Sequence, residues 1–209
     1  MPNETAGPYP GDGSNGTNVL DDTGIVRSDL RPSLAGGTTA AGVPLTFRLT
    51  VRDLSSGEAL AGAGVYAWHC SREGLYSMYS QGAQDETYLR GVQETDADGT
   101  VEFVSVFPGC YAGRWPHIHF EVYDSVQAAV AQDGDNPIMK VSQIALPKET
   151  CEQVYATTGY ESSVGNLAGV SLATDNVFGD DGGIHQLATI AGDVASGYQA
   201  QLAIGVVTA

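Results

Sequence analysis

The sequence predicts an all-β fold: an antiparallel β-sandwich with long irregular loops and an extended N-terminal arm. Residues 45–52 alternate apolar and polar side chains, which is the period of a strand with one buried face. Clusters of Gly, Pro, Asn and Asp recur along the chain, and no convincing amphipathic helix is found. The 209 residues suit one all-β domain and are enough to bury a core. We therefore expect residues 1–42 to form the arm and residues 43–209 to form a single β-sandwich domain.

The arm is rich in Gly, Pro, Asn, Asp and Thr and shows no sustained period. We expect it to wrap the domain or to remain mobile. It begins without the basic and apolar regions of a secretory signal. The protein is therefore expected to be either cytoplasmic or exported with a leader that is absent from this sequence.

Several segments are predicted as strands because they are short, rich in β-branched or aromatic residues and bounded by turn residues. Residues 71–92 have weak periodicity and are expected to form a long functional loop. Residues 126–132 are expected to form a short helix, and residues 162–184 to be irregular. The predicted strands are residues 45–51, 65–70, 101–107, 117–123, 140–146 and 198–207.

The chain is strongly acidic, with 25 Asp plus Glu against 9 Lys plus Arg and a formal net charge of −16. Such a charge disfavours binding to nucleic acid and to anionic membrane surfaces. No segment approaches the roughly 18 consecutive apolar residues of a membrane span. We therefore expect no nucleic-acid partner and no membrane span, and an anionic substrate would need a local positive group.

Two histidines separated by one residue, His117 and His119, are the strongest chemical signal in the chain. In a strand both side chains point to one face, while Ile118 and Phe120 point to the opposite, apolar face. Imidazoles on one face with tyrosines close in sequence indicate a transition-metal site. Glu121 would share that face, so a zinc or ferrous enzyme that uses His117, His119 and Glu121 is one alternative.

Four motifs extend this signal. They are Gly-Leu-Tyr at 74–76, Thr-Asp-Ala-Asp-Gly at 95–99, Pro-Gly-Cys-Tyr at 108–111 and Arg-Trp-Pro-His-Ile-His-Phe at 114–120. Their order resembles that of the intradiol ring-cleavage dioxygenases, such as catechol 1,2-dioxygenases and protocatechuate 3,4-dioxygenases. The resemblance is dense over residues 43–146. It implies an Fe(III) enzyme that uses O2 to cleave a small aromatic diol between its hydroxyl-bearing carbons, giving a cis,cis-muconate-type dicarboxylic acid.

By this resemblance the iron ligands are Tyr76, Tyr111, His117 and His119. The donor set suits the ion, because hard trivalent ions favour anionic oxygen ligands. Two phenolates and a hydroxide would also balance the charge of a ferric ion. Tyr79 competes with Tyr76 for the first position, and the Gly-x-Tyr context favours Tyr76.

The resemblance also assigns residues to the substrate. Arg114 matches an active-site arginine that stabilises negative charge on the ring, a role suited to a planar, always-charged group. Tyr111 would leave the ion when the diol binds and would accept a proton, so it is also a candidate catalytic residue. Gln143 matches a substrate-pocket glutamine, and Trp115 is expected to close the pocket or to pack beneath it. His69 is expected to be a hydrogen-bonded core histidine.

The chain departs from the family in two places. Only five residues separate Tyr111 from His117, and the Gly-rich arm replaces the long N-terminal helical segment of catechol 1,2-dioxygenases. Cysteines at 70, 110 and 151, together with the acidic composition, resemble the exported bacterial branch, in which a disulfide would be allowed. An extracellular location is therefore expected, with the cytoplasm as the alternative. The cysteine pairing, the oligomeric state and the catechol derivative are left open.

A non-catalytic, prealbumin-like β-sandwich binding module is a second alternative. Residues 45–53, the Gly-Ala-Gly-Val at 62–65 and the turn at 95–99 are similar to such accessory domains. That similarity accounts for the scaffold but not for the tyrosines and histidines.

Overall fold

The computed structural model describes residues 1–131 and 138–208, and most of its regular structure is β-strand. The strands are β1 (Pro44–Asp53), β2 (Gly64–Trp68), β3 (Arg90–Glu94), β4 (Thr100–Val106), β5 (His117–Tyr123), β6 (Lys140–Ala145), β7 (Thr189–Asp193) and β8 (Gly197–Val206). The helices are α1 (Val126–Val130), α2 (Lys148–Tyr155) and α3 (Glu161–Ala168), with short 3₁₀ turns at Leu34–Gly36 and Leu172–Thr174.

The strands form two four-stranded sheets, in the orders β4-β1-β8-β7 and β3-β2-β5-β6. The predicted β-sandwich is confirmed. One pair departs from the antiparallel pattern, because β8 lies parallel to β1. A parallel neighbour cannot be joined by a hairpin, and β2 to β7, including all four strands of the second sheet, lie between β1 and β8 in the sequence.

The hydrophobic core lies between the sheets. In β1, Leu45, Phe47, Leu49 and Val51 are buried and alternate with more exposed residues, as the period-two pattern predicts. From the second sheet, the inward side chains of β5 join the same cluster. Every residue of β5 is buried, so its outer face must also be covered.

The N-terminal arm provides much of that cover. Val19, Leu20 and Ile25 are buried in a second apolar cluster on the outer face of the second sheet, together with Tyr66 and Trp68 of β2. Backbone hydrogen bonds join residues 25–30 of the arm to β3 and β4. The arm therefore wraps the domain, which is the first of the two expected possibilities.

Several further parts of the expected layout are corrected. Strand β3 begins at residue 90, within the segment predicted as a loop at residues 71–92, and its mostly polar sequence gave no strand signal. Helices α2 and α3 were not expected; each has eight residues, too few for a sustained apolar period. Residues 126–130 of the predicted helix at 126–132 form α1, and Gln132 lies outside the described residues. Strand β7 was also missed because it is mostly exposed.

No helix among the described residues combines the length and apolar character needed to cross a membrane.

Candidate metal centre

The outer face of β5 brings His117 and His119 together, with their Nε2 atoms 3.0 Å apart. Both side chains are buried. Trp68 lies opposite His119 in the register of β2 and β5, and its ring stacks on the imidazole at 4.8 Å. The Trp115 carbonyl lies 2.5 Å from Nδ1 of His117. Because a carbonyl only accepts, Nδ1 carries the proton and Nε2 of His117 presents a lone pair.

Two tyrosines from different loops meet this lone pair. The hydroxyl of Tyr76 lies 3.3 Å from Nε2 of His117, and that of Tyr111 lies 3.2 Å away. Gly74 makes the meeting possible: it has a φ of +83°, and a Cβ there would lie 3.3 Å from Cβ of Tyr111. A side chain at position 74 would therefore be strained and would crowd the second tyrosine.

The four side chains are too crowded to be satisfied by hydrogen bonds alone. One lone pair on His117 faces two hydroxyls and a second ring nitrogen. In addition, His119 turns its Nε2 towards this same nitrogen, and two neutral imidazole nitrogens, one shared proton and two hydroxyls cannot all be satisfied at once. Buried polar atoms in native proteins are normally paired, so this cluster calls for a further group.

A metal ion fits the arrangement. Donors that share an ion at about 2.0–2.2 Å each lie about 3 Å apart, as Nε2 of His117 does from the other three donors. The chemistry also fits, since two phenol oxygens and two imidazoles form the mixed hard donor set that suits a ferric ion. Tyr76, Tyr111, His117 and His119 could therefore hold such an ion.

Burial sets the protonation of the four groups. It lowers the pKa of His117 to about 3 and that of His119 well below its usual range, so both rings are neutral and free to bind a cation. Burial raises the pKa of Tyr111 to about 12 and that of Tyr76 well above 10. The phenols must therefore lose protons when they bind a metal, so metal uptake releases protons.

Arg114 lies beside the tyrosines. Its Nη2 donates to Oε1 of Gln143 at 2.5 Å, and its Nε donates to Oδ2 of Asp175 at 2.9 Å. The positive charge of the guanidinium also lowers the pKa of the Tyr111 phenol, against the larger effect of burial. The structure thus brings together Arg114, Gln143 and Tyr111, as the sequence predicts.

Trp115 is placed beneath the site. Its indole packs in the core between the sheets, and its Nε1 donates to the Leu146 carbonyl at 2.9 Å. Of the two expected positions, closing the pocket or packing beneath it, the indole takes the second. Its contribution to the site is the carbonyl that orients His117.

The arrangement of His117, His119 and Glu121 as a three-ligand site is not formed. Among the described residues, no three His, Cys, Asp or Glu side chains come together in a way that could hold a metal ion. Glu121 shares the face of the histidines, but it lies about 7 Å along the strand from His119. Its Oε2 accepts from the Tyr123 hydroxyl at 2.8 Å.

The remaining candidates fall outside the centre. Tyr79 binds Asn15 and the backbone of Gly11, so Tyr76 rather than Tyr79 faces His117. His69 has both ring nitrogens hydrogen-bonded in the core, as expected, and His185 is exposed.

The cysteines are all buried free thiols. The Sγ of Cys70 faces the Gly109 carbonyl, and that of Cys110 faces the Arg114 carbonyl. The disulfide considered from the sequence is therefore not formed.

Sequence reasoning missed two contributors. Asp175 comes from the segment expected to be irregular. The start of the arm crosses the site: the carbonyl of Thr5 accepts from Nε2 of Gln143 at 3.0 Å, and the ring of Tyr9 lies 4.8 Å from that of Tyr76. No spacing or motif in either segment pointed to the centre, because both are brought there only by the tertiary fold.

Comparison with known proteins gives a family. A family model described as Dioxygenase matches residues 23–132, which is more than half of the chain. A catechol 1,2-dioxygenase of Acinetobacter lwoffii is 32% identical over 118 residues, 47% of this chain and 36% of the relative. A chlorocatechol 1,2-dioxygenase of Rhodococcus opacus is 37% identical over 67 residues, 32% of this chain and 26% of the relative. The matched part of the chain thus spans 36% and 26% of the length of these two curated relatives.

Solved structures with the same fold cover nearly the whole chain. An intradiol ring-cleavage dioxygenase from Tetranychus urticae has a TM-score of 0.74 at 22% identity, covering 99% of this chain and 94% of that one. The dioxygenase domain of a dioxygenase carbohydrate-binding fusion from Streptomyces sp. SirexAA-E has a TM-score of 0.62 at 22% identity, covering 100% and 98%. These likenesses establish the shared β-sandwich fold.

Proposed function

The chain belongs to the intradiol ring-cleavage dioxygenase family, and we propose that it is a non-haem Fe(III) enzyme that cleaves catechol-type diols. The ring would open between the two hydroxyl-bearing carbons. Both atoms of O2 would enter the product, a cis,cis-muconate-type dicarboxylic acid. The observation that carries the proposal is the convergence of Tyr76, Tyr111, His117 and His119 on one buried point.

When bound, the ferric ion would supply chelation of the diol and activation of its ring towards O2. Tyr76, His117 and His119 are all buried and would hold the ion throughout. Tyr111 is the half-buried member of the four. This greater freedom supports Tyr111 as the residue whose Oη would accept a proton from a diol hydroxyl.

Arg114 would stabilise the negative charge that the deprotonated diol and its ring acquire. The guanidinium is always charged, and its positive charge lowers the pKa of the Tyr111 phenol. Low accessibility strengthens this interaction, because the Arg114 side chain is only 13% exposed. Gln143 would keep the guanidinium in place through its Oε1 and would line the same side of the pocket.

Product analysis tests the proposal. Ferric-loaded protein is given catechol and isotopically labelled O2, and we expect one O2 consumed per diol, with both labelled atoms in cis,cis-muconate. Tyr111→Phe should lower kcat by about 10²-fold with the melting temperature retained, since it removes a proton acceptor. Tyr198→Phe, which loses a hydroxyl bonded to Gln153 at 2.9 Å in another part of the fold, is the matched control and should keep wild-type turnover.

Two results would contradict the proposal. One is a product opened beside the hydroxyl pair rather than between the hydroxyls. The other is a ferric-loaded protein that consumes no O2 with any catechol, which would favour the non-catalytic binding module.

We also propose that the protein works outside the cytosol. The support is its acidic composition and its resemblance to the exported branch of the family. Fractionation of the source cells tests this, and detection only alongside a cytosolic marker would contradict it.

A further inference from the structure

We propose that Asp175 is a positioning residue for this reaction: its carboxylate holds the guanidinium of Arg114 in the orientation that faces the substrate. The inference rests on the proposed function. It concerns a segment that the family model does not match, because the match ends at residue 132.

The first argument is the geometry of the pair. Oδ2 of Asp175 accepts from Nε of Arg114 at 2.9 Å, and Oδ1 accepts from Nη2 at 3.4 Å. Two parallel contacts of this kind fix the plane of a guanidinium as well as its distance. The Asp175 side chain is 0% exposed, so water does not compete for the carboxylate.

The second argument is that Asp175 is itself held rigidly. Its oxygens accept from the backbone N–H groups of Trp115 at 2.7 Å, Val177 at 2.8 Å and Phe178 at 3.0 Å. Burial alone would raise the pKa of the Asp175 carboxyl, yet the bonds from Arg114 and these N–H groups lower it below its usual value. The carboxylate is therefore a fixed negative charge at neutral pH.

The third argument is that the groups around Arg114 restrict the orientation of its guanidinium. With Asp175 on one side, Gln143 on Nη2 and the Phe178 ring 6.0 Å from Cζ, the guanidinium is bounded in several directions. The backbone N–H of Arg114 donates to the Tyr111 carbonyl at 3.4 Å, so Arg114 lies next to that candidate ligand. A long, flexible side chain that must meet developing charge gains from such pre-orientation, since a displacement of about 1 Å can cost about 10²-fold in rate.

A purely structural ion pair would explain the same contacts, but it would gain little. Buried pairs of this kind contribute little net stability once desolvation is counted. A role through Arg114 makes a different prediction, because it requires the effect of Asp175 on the reaction to vanish when Arg114 is absent.

The experiment is a double-mutant cycle on the ferric-loaded protein with catechol as probe. We expect Asp175→Asn to lower kcat at least tenfold, with a smaller change in KM and an unchanged iron content. In the Arg114→Ala background the same substitution should change kcat by less than twofold. Asp193→Asn is the matched control, because Asp193 also accepts two backbone N–H groups in a turn but is exposed and remote.

A second variant protects against a folding failure. Asp175→Ser keeps an oxygen for the N–H groups of Val177 and Phe178 and removes Oδ2, which accepts from Arg114 and from the Trp115 N–H. It should reproduce the kinetic loss. Equal losses of kcat with and without Arg114, or a kcat within twofold of wild type in both Asp175 variants, would overturn the inference.

A metal-free readout separates this inference from the proposed function. The Nε–Hε resonance of Arg114 in the apoprotein should be resolved and slow to exchange with solvent, and Asp175→Asn should broaden or shift it. If the protein turns over no diol, the proposed function fails. The resonance then still decides whether Asp175 orients Arg114, and an unchanged resonance in the variant would sink that claim.

Discussion

Two buried histidines stand on opposite sides of the second sheet, and the contrast between them identifies the site. His69, just after β2, points into the core, where its Nδ1 lies 2.8 Å from the Cys70 carbonyl and its Nε2 lies 2.7 Å from the Ser105 hydroxyl. His119 points outward, with Nε2 against His117 and with Nδ1 unpaired among the described residues. His69 and His119 are therefore equally buried, but His69 has a hydrogen-bond partner on both ring nitrogens and His119 does not.

The comparison teaches that burial and pKa alone do not find a metal ligand. Burial lowers the pKa of both histidines, to about 4 for His69 and well below the usual range for His119. Both rings are therefore neutral at pH 7. What separates them is how their nitrogens are used: each nitrogen of His69 has one protein partner, whereas His117 and His119 turn their Nε2 atoms towards each other and towards two phenol hydroxyls.

The largest expected effect comes from removing an outer-face ring. His119→Ala should reduce ferric ion affinity by more than about 100-fold, because loss of a ligand exceeds the cost of losing its outer-shell partner. Iron content by mass spectrometry and turnover of catechol both measure this. His185→Ala is the control, since that ring is exposed. A His119→Ala protein that keeps its full iron content would break the distinction between the two faces.

The inner face should respond through stability instead. Phe120 is fully buried in the core next to His119 in sequence. Phe120→Ala should lower the free energy of unfolding by about 3–5 kcal/mol. The iron bound per folded molecule should stay unchanged. Urea unfolding measures the loss, with Ile184→Ala, at a 70% exposed side chain, as the control expected within about 0.5 kcal/mol. A lower iron content in folded Phe120→Ala would mean that the faces are coupled.

His69 should make the protein sensitive to acid. Between pH 6.5 and about 4 the unfolded chain binds a proton at His69 that the folded protein does not, so stability falls as the pH falls through that window. Across that window the His69 ring alone lowers the free energy of unfolding by about 3 kcal/mol. Unfolding of wild type and His69→Gln at pH 7 and pH 4.5 measures it, and the variant should lose less stability. Identical losses in the two proteins would mean that His69 is not buried neutral.

The smallest expected effect tests the third polar residue of the outer face. Glu121 is buried and bonded to Tyr123, away from the donor cluster. Glu121→Gln should change iron content and kcat by less than about threefold, because it removes no ligand. Loss of iron in this variant would restore the site made of His117, His119 and Glu121.

The β-sandwich and the pairing of His117 with His119 could be predicted from the sequence. The alternation in β1 and the spacing of His117 and His119 are local signals whose period gives the face directly. The Gly-x-Tyr motif favoured Tyr76 over Tyr79. In each case a short stretch of sequence contains the whole signal.

Other features depend on tertiary placement. The parallel pairing of β8 with β1 is set by packing at the end of the chain rather than by local pattern. Asp175 is hydrogen-bonded to Arg114, 61 residues away in the sequence, and Thr5 to Gln143, 138 residues away. The sequence around Asp175 and Thr5 is typical of loops, so no motif or period identifies them as site residues. Trp115 shows the reverse case, in which a residue inside a strong motif serves the site through its backbone.

The central claim is that the outer face of the second sheet binds a ferric ion through Tyr76, Tyr111, His117 and His119. The most direct test is the visible absorption spectrum of the ferric-loaded protein, before and after catechol is added without oxygen. The account predicts a broad tyrosinate-to-iron band that weakens in Tyr76→Phe and shifts to longer wavelength with catechol. A protein that stays colourless after ferric reconstitution, with or without the diol, would contradict it.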